Sequence, residues 1–283
     1  MFIATTIADC RAQRANLAGP VAFVPTMGAL HAGHVTLLAA AATMGRHVLA
    51  SIFVNPTQFG PGEDLTRYPR PLDHDLEKCR AAGVAGVFVP TVDEMYPPSE
   101  PPCTVDVPAL TADLEGRFRP GHFAGVCQVV AKLFGIVQPE VACFGMKDYQ
   151  QLRVVDAMVR SLNLPVRISA LPTVRESDGL AMSSRNAYLN PEARRRATAL
   201  YKALSTAKIM VENDGVLEPG RVEHAMKLLI ETHGLSVDYT ALRHPSTLTP
   251  LDVIEPKLTG GVVALVAARI DGVRRIDNMV LGA

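Results

Sequence analysis

The sequence predicts an α/β fold, a Rossmann-like doubly wound parallel sheet followed by a second, smaller α+β domain. Short runs rich in Val, Ile and Phe alternate with longer segments of helical period up to Pro172, and this alternation is typical of βα units around a parallel sheet. After about Arg185 the pattern changes to helical stretches followed by a β-rich tail. We therefore expect a first domain at residues 1–174 and a second at residues 175–283.

Each predicted element follows from its local pattern. In the first domain the predicted strands are Val21–Thr26, His47–Val54, Val84–Val89, Val141–Gly145 and Val166–Pro172. The predicted helices there are Gly33–Met44, Pro71–Ala82, His122–Val137 and Tyr149–Leu162. Two segments dense in Pro and Gly, Phe59–Pro69 and Tyr96–Pro108, are interpreted as loops suited to covering a site. The second domain is expected to hold helices at Pro191–Glu212 and Glu218–His233 and strands that include Val237–Leu242 and Gly261–Ala268.

The composition narrows the class of protein. The chain has 283 residues, of which 48% are hydrophobic and 20% are charged, so it has enough apolar residues for one or two folded cores. Lys plus Arg (28) balances Asp plus Glu (28), which leaves no overall positive field for a nucleic acid or an anionic bilayer. We expect neither a nucleic acid nor a membrane as a partner.

The cysteines and the N-terminal residues bear on location. The five cysteines are scattered, odd in number and free of C-x-x-C spacing, which argues against a disulfide framework or a zinc site. A reducing compartment fits this usage. Residues 1–14 contain no long apolar stretch, and no segment approaches the roughly 18 apolar residues that cross a bilayer. We therefore expect a cytoplasmic protein.

Two histidines follow the first of these predicted strands, at the expected start of a helix. His31 and His34 are three residues apart, and the backbone N–H groups at a helix N-terminus are unpaired and favour anions. We therefore predict a polyphosphate site, in which Gly33 lets a flat base approach the backbone. The alternatives are a chance pair of surface histidines or two metal ligands, although metal ligation needs a third ligand that the sequence does not identify.

Amide side chains follow the next predicted strand. Asn55 and Gln58 carry both donors and acceptors, and such groups suit a small hydroxy acid better than a phosphate. The alternative is a capped strand end at which Pro56 begins a turn. In a doubly wound sheet, ligands bind beyond the carboxyl ends of the strands. Because His31, Asn55 and Lys147 all fall just after predicted strands, we expect one crevice.

Two further segments supply cations. The ammonium of Lys147 could neutralise charge that develops on a phosphate in flight, and the alternative is a solvated pair with Asp148. The polar segment Met182-Ser183-Ser184-Arg185 lies in a glycine-containing loop whose hydroxyls and guanidinium suit phosphate. Together with the histidine pair, these segments indicate a nucleotide site with chemistry at phosphorus.

Five motifs in a fixed order carry the strongest functional signal. They are Pro25-Thr26-Met27-Gly28-Ala29-Leu30-His31-x-Gly33-His34, Phe53-Val54-Asn55-Pro56-x-Gln58-Phe59, Arg119-Pro120-Gly121-His122-Phe123-x-Gly125-Val126, Gly145-x-Lys147-Asp148-x-Gln150-Gln151 and Met182-Ser183-Ser184-Arg185-Asn186. Together they closely resemble the pantoate–β-alanine ligase, or pantothenate synthetase, family. The similarity spans nearly the whole chain, including the tail from Arg269 to Asn278.

The resemblance implies a fold and a reaction. The family belongs to the nucleotidyltransferase-like Rossmann superfamily with class I aminoacyl-tRNA synthetases, whose HIGH and KMSKS signatures are similar to His31–His34 and Met182–Arg185. It implies that the pantoate carboxylate attacks the α-phosphorus of ATP and releases pyrophosphate, after which the amine of β-alanine displaces AMP from pantoyl adenylate. A carboxylate is already ionised at neutral pH and needs no base for that attack. The site must instead bring cations to two anions.

The resemblance also implies residue roles, a cofactor and an assembly. Its catalytic set is His34, described in the family as a proton donor, with His31, Lys147, Ser183, Ser184 and Arg185. The implied ATP contacts are Met27, Gly28, Ala29, Leu30, His31, Ala32, Gly33, His34, Gly145, Met146, Lys147, Asp148, Val174, Met182, Ser183, Ser184 and Arg185. Gln58 and Gln151 match substrate-binding glutamines for pantoate and β-alanine, with Asn55 beside them. Mg²⁺ is expected to bridge phosphate oxygens with no assigned protein ligand, the second domain is expected to act as a lid, and the family is commonly homodimeric.

The sequence also allows two alternative functions and one further candidate metal ligand. A nucleotidyltransferase that stops after transferring AMP to a phosphate-bearing acceptor would use the same signatures, but the amides in the acceptor pocket favour a carboxylic acid. An RNA-binding relative of the synthetases predicts salt-sensitive binding to tRNA, which the balanced charge does not favour. The segment Leu72–Asp75 could add a carboxylate to a metal shell. We expect it to be solvent-exposed on a helix and leave it out of the site.

Overall fold

Six parallel strands form the sheet of the first of two units into which the chain folds. They are β1 (Phe2–Ala4), β2 (Val21–Thr26), β3 (His47–Ile52), β4 (Gly86–Phe88), β5 (Val141–Gly145) and β6 (Arg167–Leu171), in the order β1-β4-β3-β2-β5-β6. The structure is a computed structural model that describes residues 1–255 and 259–282. The first unit comprises Met1–Gly145 and Gln150–Pro172, and the second comprises Met146–Tyr149 and Thr173–Ala283.

Helices connect the parallel strands of the first unit. They are α1 (Ile7–Ala15), α2 (Ala32–Ala41), α3 (Leu72–Ala81), α4 (Val92–Met95), α5 (Pro108–Thr111), α6 (Glu115–Phe118), α7 (His122–Val137) and α8 (Tyr149–Ser161). The first four residues of β2 are completely buried, as expected for a central parallel strand covered on both faces. Because β2 pairs with β3 on one side and β5 on the other, the strand order reverses between β2 and β5. Ligands bind at such a switch point in open α/β sheets.

The second unit is an antiparallel sheet packed with helices. The helices are α9 (Pro191–Ala197), α10 (Ala199–Glu212) and α11 (Pro219–Thr232), and the strands are β7 (Ser236–Arg243), β8 (Val262–Ile270) and β9 (Val273–Leu281). The strand β8 lies between the other two, and eight of its nine residues are buried. Its inward face joins one apolar core with Leu200, Leu204, Met226 and Ile230 of the helices. This core is separate from the cluster that surrounds β2 and β3 in the first unit.

The predicted fold class is confirmed, with local differences in the elements. The bounds of β2, β5 and α7 agree with the predicted Val21–Thr26, Val141–Gly145 and His122–Val137. The predictions missed β1 and α1, because a three-residue strand and a helix with one buried side chain have little apolar periodicity. The single helix expected at Pro191–Glu212 is two helices. They meet at Thr198, whose hydroxyl donates to the Arg195 carbonyl oxygen (2.8 Å).

Two further observations concern the organisation of the chain. The first unit ends at Pro172, two residues before the domain boundary expected at residue 174, and the short segment Met146–Tyr149 groups with the second unit. The sequence pattern gave no signal that Met146–Tyr149 would group with the second unit, because this grouping depends on contacts with the C-terminal strand. Among the residues that the structure describes, no helix is both long and apolar enough to cross a membrane.

Candidate active site

The two histidines form a reciprocal cap at the start of α2. His31 is the N-cap residue and its Nδ1 accepts the Gly33 N–H (3.2 Å), while His34 Nδ1 accepts the His31 N–H (3.3 Å). The centroids of the two rings are 4.1 Å apart. Because each Nδ1 accepts a backbone N–H, the proton of each neutral imidazole lies on Nε2. The cap therefore fixes the tautomer of both rings and makes each Nε2–H a donor.

The expectation of unpaired N–H groups at this helix start is wrong for three residues. The His31 N–H donates to His34 Nδ1, the Gly33 N–H donates to His31 Nδ1, and the His34 N–H donates to the His31 carbonyl oxygen (2.9 Å). A histidine cap was not expected from the sequence, because Ser, Thr, Asp and Asn are the usual N-cap residues, whereas here an imidazole takes that role. These backbone N–H groups are used within the cap, so the ring nitrogens are the candidate donors to an anion.

Asp75 is buried, which corrects the expectation that it is solvent-exposed. Its side chain lies in α3, the residue is 1% exposed, and its carboxylate accepts the N–H groups of Ala29 and Leu30, both at 2.7 Å. The neighbouring residues Leu76 and Cys79 are also buried, so Asp75 lies at the edge of the apolar stripe of the helix. That position was the available signal in the sequence, since a carboxylate beside a buried stripe must have partners.

The amide pair after β3 is organised around Asn55. This residue is 1% exposed, and its Nδ2 donates to Gln58 Oε1 (3.0 Å) and to the carbonyl oxygen of Gly125 (3.1 Å). Its Oδ1 accepts from the Tyr96 hydroxyl (2.8 Å), while Gln58 Nε2 donates to Met27 Sδ (3.2 Å). The Asn55 amide is thus engaged by protein groups, and it sets the orientation of the Gln58 amide.

The start of α7 packs directly beneath this amide pair. A Cβ atom at Gly125 would lie 2.3 Å from the Thr57 carbonyl oxygen, so no larger residue fits there without moving the backbone. The buried His122 ring lies with Nδ1 2.8 Å from the Gln58 carbonyl oxygen and Nε2 3.0 Å from Arg119 Nη1. A guanidinium only donates, so Nε2 accepts and Nδ1–H donates. Arg119 in turn donates to both carboxylate oxygens of Glu63, each at 2.7 Å.

The stability of the protein is expected to fall between about pH 6.5 and about pH 4 through His122. Burial, reinforced by the Arg119 charge, lowers the pKa of His122 from 6.5 to about 4. The unfolded chain therefore takes up a proton in this interval before the folded protein does, and the maximum loss is of the order of 3 kcal/mol. Urea unfolding across the interval measures it. The matched control is His122→Gln, whose amide does not titrate, and an equal loss in both proteins contradicts the prediction.

Gln150 and Gln151 of the fourth motif differ in their surroundings. Gln150 is buried, and its Oε1 accepts the Glu115 N–H (2.9 Å) while its Nε2 donates to the carbonyl oxygens of Leu110 and Asp113. Gln151 is only partly buried. Gln150 thus ties α8 to the segment that precedes α7, and Gln151 is the member of the pair suited to contact a ligand.

In the second unit, Lys147 lies in a 3₁₀ turn, Met146–Asp148, that is held by β9. Its Nζ is 3.4 Å from Asp148 Oδ1, and its side chain is 22% exposed. Asn278 Nδ2 donates to the carbonyl oxygens of Met146 (2.9 Å) and Lys147 (2.8 Å). The pairing with Asp148 that we considered as an alternative is therefore present, and in addition the backbone of the turn is fixed by β9.

The serine and arginine segment is also held by β9. The Ser183 hydroxyl accepts the Arg185 N–H (3.3 Å) at the start of a 3₁₀ turn, Ser184–Tyr188. Arg275 donates to Ser183 Oγ (3.4 Å) and to Asn186 Oδ1. Burial, together with the nearby positive charge of Arg185, lowers the pKa of Arg275 to about 10. A buried guanidinium thus lies beside the segment predicted to contact phosphate.

The loop that leads to this segment is anchored on the same strand. Arg175 donates to both carboxylate oxygens of Asp277, at 2.6 and 3.0 Å, and the Met182 N–H donates to the Val174 carbonyl oxygen (3.0 Å). No role in the site was predicted for Arg275, Asp277 or Asn278 from the sequence. Their signal was the presence of charged and amide residues in a strand that is otherwise apolar.

The structure brings the predicted residues together in two groups, one in each unit. His31 and His34 form one cap in the first unit, where Met27, Asn55 and Gln58 are also linked by hydrogen bonds. In the second unit, β9 holds both the Lys147 turn and the Ser183 segment. A cavity of about 270 Å³ adjoins the first group, and it is lined by Met27, Gly28, Ile52, Phe53, Arg70 and Asp75 among others.

A parallel sheet with this strand order, and a histidine cap directly after its central strand, define a Rossmann-like α/β protein with a site at the carboxyl end of β2. Comparison with known proteins identifies the family within this class. The chain belongs to the pantoate–β-alanine ligase family, whose model matches residues 2–280.

Individual relatives agree with this assignment. The pantothenate synthetase of Acidothermus cellulolyticus is 52% identical over 278 residues, covering 98% of this chain and 90% of that protein. The crystal structure of pantoate–β-alanine ligase from Thermus thermophilus is similar with a TM-score of 0.93 and 46% identity, covering 99% of each chain. That of the ligase from Francisella tularensis, described as a complex with β-γ ATP and β-alanine, is similar with a TM-score of 0.81 and 31% identity over 99% and 97% of the chains. The family and fold predicted from the sequence are confirmed.

Proposed function

We propose that this protein is an AMP-forming pantoate–β-alanine ligase of pantothenate and coenzyme A biosynthesis. It condenses (R)-pantoate with β-alanine and converts ATP to AMP and pyrophosphate, through a pantoyl-adenylate intermediate. The observation that carries the proposal is membership of the ligase family over residues 2–280, with 52% identity to a curated pantothenate synthetase. The Francisella tularensis relative, described as binding β-γ ATP and β-alanine, supports the same two substrates here.

In the first half-reaction a pantoate carboxylate oxygen attacks the α-phosphorus, and the bond to the bridging oxygen of pyrophosphate breaks. The carboxylate is ionised already, so the task of the protein is to stabilise the anionic triphosphate as charge moves onto the leaving group. We assign this task to the Nε2–H donors of His31 and His34, the ammonium of Lys147, and the groups of Ser183, Ser184 and Arg185. His34 is the proposed donor to the departing pyrophosphate.

In the second half-reaction the β-alanine nitrogen attacks the acyl carbon of pantoyl adenylate. The new C–N bond forms, the C–O bond to AMP breaks, and the surplus proton of the amine passes to solvent. Gln58 and Gln151 are the proposed contacts to the pantoyl group and to β-alanine. Asn55 lies in this substrate pocket as the residue that orients the Gln58 amide, because its own amide is engaged by Gln58, Gly125 and Tyr96.

The proposed ATP contacts fall in four segments, residues 27–34, residues 145–148, Val174 and residues 182–185. The contacts at Ala29 and Leu30 involve groups other than their N–H, because both N–H groups are bound by Asp75. Gly33 and the histidine rings then form the part of the first segment that meets the nucleotide. The histidines and the amide pocket belong to the first unit, and Lys147 and residues 183–185 belong to the second.

We propose that Mg²⁺ enters with ATP. Within residues 1–255 and 259–282, no group of three or more His, Cys, Asp and Glu side chains is arranged to hold a metal ion. Mg²⁺ commonly keeps several waters and is bound through substrate phosphates with only one or two carboxylates. This chain therefore fits a cation carried on phosphate oxygens. The ion neutralises phosphate charge when bound.

We also propose a cytoplasmic location and a homodimer. The five cysteines are free thiols. Burial raises the pKa of Cys10 and Cys79 to about 11 and that of Cys127 to about 12, which keeps these three thiols protonated at neutral pH. Free buried thiols suit a reducing compartment. The resemblance to a family that is commonly dimeric supports the assembly, and light scattering on the purified protein measures its mass.

Incubation of the purified protein with ATP, Mg²⁺, pantoate and β-alanine is expected to yield pantothenate and AMP in equal amounts. Omission of β-alanine is expected to leave pantoate-dependent exchange of pyrophosphate into ATP, because the first half-reaction needs only pantoate. Chromatography of the products and labelled pyrophosphate measure the two reactions. If folded protein makes no pantothenate but transfers AMP to a phosphorylated acceptor, the rival nucleotidyltransferase function is correct.

A further inference from the structure

We propose that α3 sets the geometry of the histidine cap by clamping the backbone that leads into it, which makes Asp75 and Lys78 positioning residues for adenylate formation. These two side chains are three residues apart on one face of the helix. Asp75 contacts Ala29 and Leu30, and Lys78 contacts Leu30, the residue immediately before His31. The proposal rests on the proposed function where it is measured by activity, and on the structure alone where it is measured by the state of the histidine rings.

The clamp consists of the Asp75 and Lys78 side chains. Together they form hydrogen bonds to both polar backbone groups of Leu30, its N–H and its carbonyl oxygen. Asp75 Oδ1 accepts the Leu30 N–H and Asp75 Oδ2 accepts the Ala29 N–H, both at 2.7 Å. Lys78 Nζ donates to the Leu30 carbonyl oxygen. The peptide groups on both sides of Leu30 are therefore held by side chains of a different element. Leu30 itself is buried among the residues of the first apolar cluster.

The backbone at this point has a conformation that needs external support. Ala29 has a φ of 51°, in the left-handed region that costs an L-residue about 1 kcal/mol or more. Such a conformation persists only where the surroundings hold it. Gly28, with a φ of 81°, is required for the same contact, since a Cβ atom there would lie 3.0 Å from Asp75 Oδ2 and 3.0 Å from Ile52 Cγ2.

The clamp reaches the histidines through one peptide group. The Leu30 carbonyl and the His31 N–H belong to the same planar peptide unit, so fixing the carbonyl direction also fixes the direction of the N–H. That N–H donates to His34 Nδ1 and thereby keeps the His34 proton on Nε2. Release of the clamp would let this peptide rotate and remove the bond that selects the His34 tautomer.

The Asp75→Asn variant tests the clamp, because the amide keeps one acceptor and sets an NH₂ group against the other N–H. The matched control is Asp73→Asn, which removes a carboxylate from the exposed side of the same first turn of α3. We expect kcat for pantoate-dependent ATP–pyrophosphate exchange to fall about 10- to 100-fold in Asp75→Asn. The KM for pantoate is expected to stay within about twofold, and the control to remain at the wild-type rate.

A double-mutant cycle with His34→Ala separates positioning from general destabilisation. If Asp75 acts through His34, adding Asp75→Asn to His34→Ala costs little more than His34→Ala alone, because residues that act together are not additive. Additive losses, or a wild-type rate in Asp75→Asn, overturn the proposal. Should Asp75→Asn fail to fold, Lys78→Met replaces it, with a smaller expected loss that Lys78→Arg restores.

A second measurement does not depend on activity. Nitrogen-15 NMR of the histidine rings is expected to show His34 with its proton on Nε2 in the wild-type protein and in Asp73→Asn. A mixture of tautomers is expected in Asp75→Asn or Lys78→Met. Unchanged ring signals in both clamp variants overturn the proposal even if the enzyme is active. Absence of exchange activity in the wild-type protein contradicts the proposed function and leaves this test of the clamp in place.

Discussion

The His34→Ala variant is expected to form pantoyl adenylate about 10²–10³-fold more slowly than the wild-type protein, the loss that follows removal of a group that stabilises developing charge. In the structure His34 Nδ1 is occupied by the His31 N–H, so its Nε2–H is the donor that the ring offers to phosphate oxygens. Removing the ring deletes that donor and also the acceptor of the cap. Pantoate-dependent ATP–pyrophosphate exchange measures the rate.

Two comparisons separate these effects of the substitution. His74→Ala is the matched control, because this histidine is exposed on α3. His34→Asn offers an oxygen in place of Nδ1 to the His31 N–H, but its shorter side chain does not carry a donor to the position of Nε2. A loss in His34→Asn similar to that in His34→Ala therefore assigns the effect to the donor. Exchange at near the wild-type rate in His34→Ala removes His34 from the mechanism.

Much of this site was predictable from local sequence. The apolar run that ends at Thr26 and the helical run after Gly33 are each defined within a few residues, so the junction that holds His31 and His34 could be placed without tertiary information. The amide pair at Asn55 and Gln58 was predictable for the same reason, since it directly follows a buried strand. Residue types, their spacing and the ends of strands were sufficient to select these positions.

The supporting residues were not predictable in this way, because their roles depend on contacts between distant parts of the chain. Asn278 holds the Lys147 carbonyl from 131 positions away, and Arg275 reaches Asn186 across 89 positions. Asp75 lies 45 positions from Leu30. A single sequence does not reveal which strand will pair with which, and so it identifies the groups proposed to contact ligand better than those that orient them.

The different roles of Asn55 and Gln58 are a second example of what a single sequence does not reveal. From their residue types, both are equally suited to a hydroxy acid. In the folded chain the two hydrogens of the Asn55 amide are directed to Gln58 and Gly125, and its oxygen accepts from Tyr96. Hydrogen-bond capacity is finite, so satisfaction of the Asn55 amide by protein groups leaves Gln58 as the better candidate for substrate contact. Only the tertiary structure distinguishes two residues that the motif presents as equivalent.

The Lys147→Ala variant is expected to slow adenylate formation by about 10²-fold or more while leaving the second half-reaction nearly unchanged. The ammonium is proposed to neutralise charge on the triphosphate. That charge affects the rate only in the first half-reaction, in which pyrophosphate leaves. The Lys147 backbone is held by Asn278 independently of its side chain, so the substitution removes the cation without releasing the turn. Rapid-quench measurement of the first step, and reaction of supplied pantoyl adenylate with β-alanine, separate the two steps.

Two variants serve as references for Lys147→Ala. Lys208→Ala removes a lysine that pairs with Glu212 on α10, and it is expected to change neither step because its ammonium lies in an exposed helical ion pair. Gln58→Ala is expected to slow both steps, because the pantoyl group must be held in each. If Lys147→Ala slows the reaction of supplied pantoyl adenylate as much as it slows adenylate formation, the lysine acts on a group common to both steps. Its proposed role at the triphosphate is then wrong, because neutralising the leaving pyrophosphate can accelerate only the step in which pyrophosphate departs.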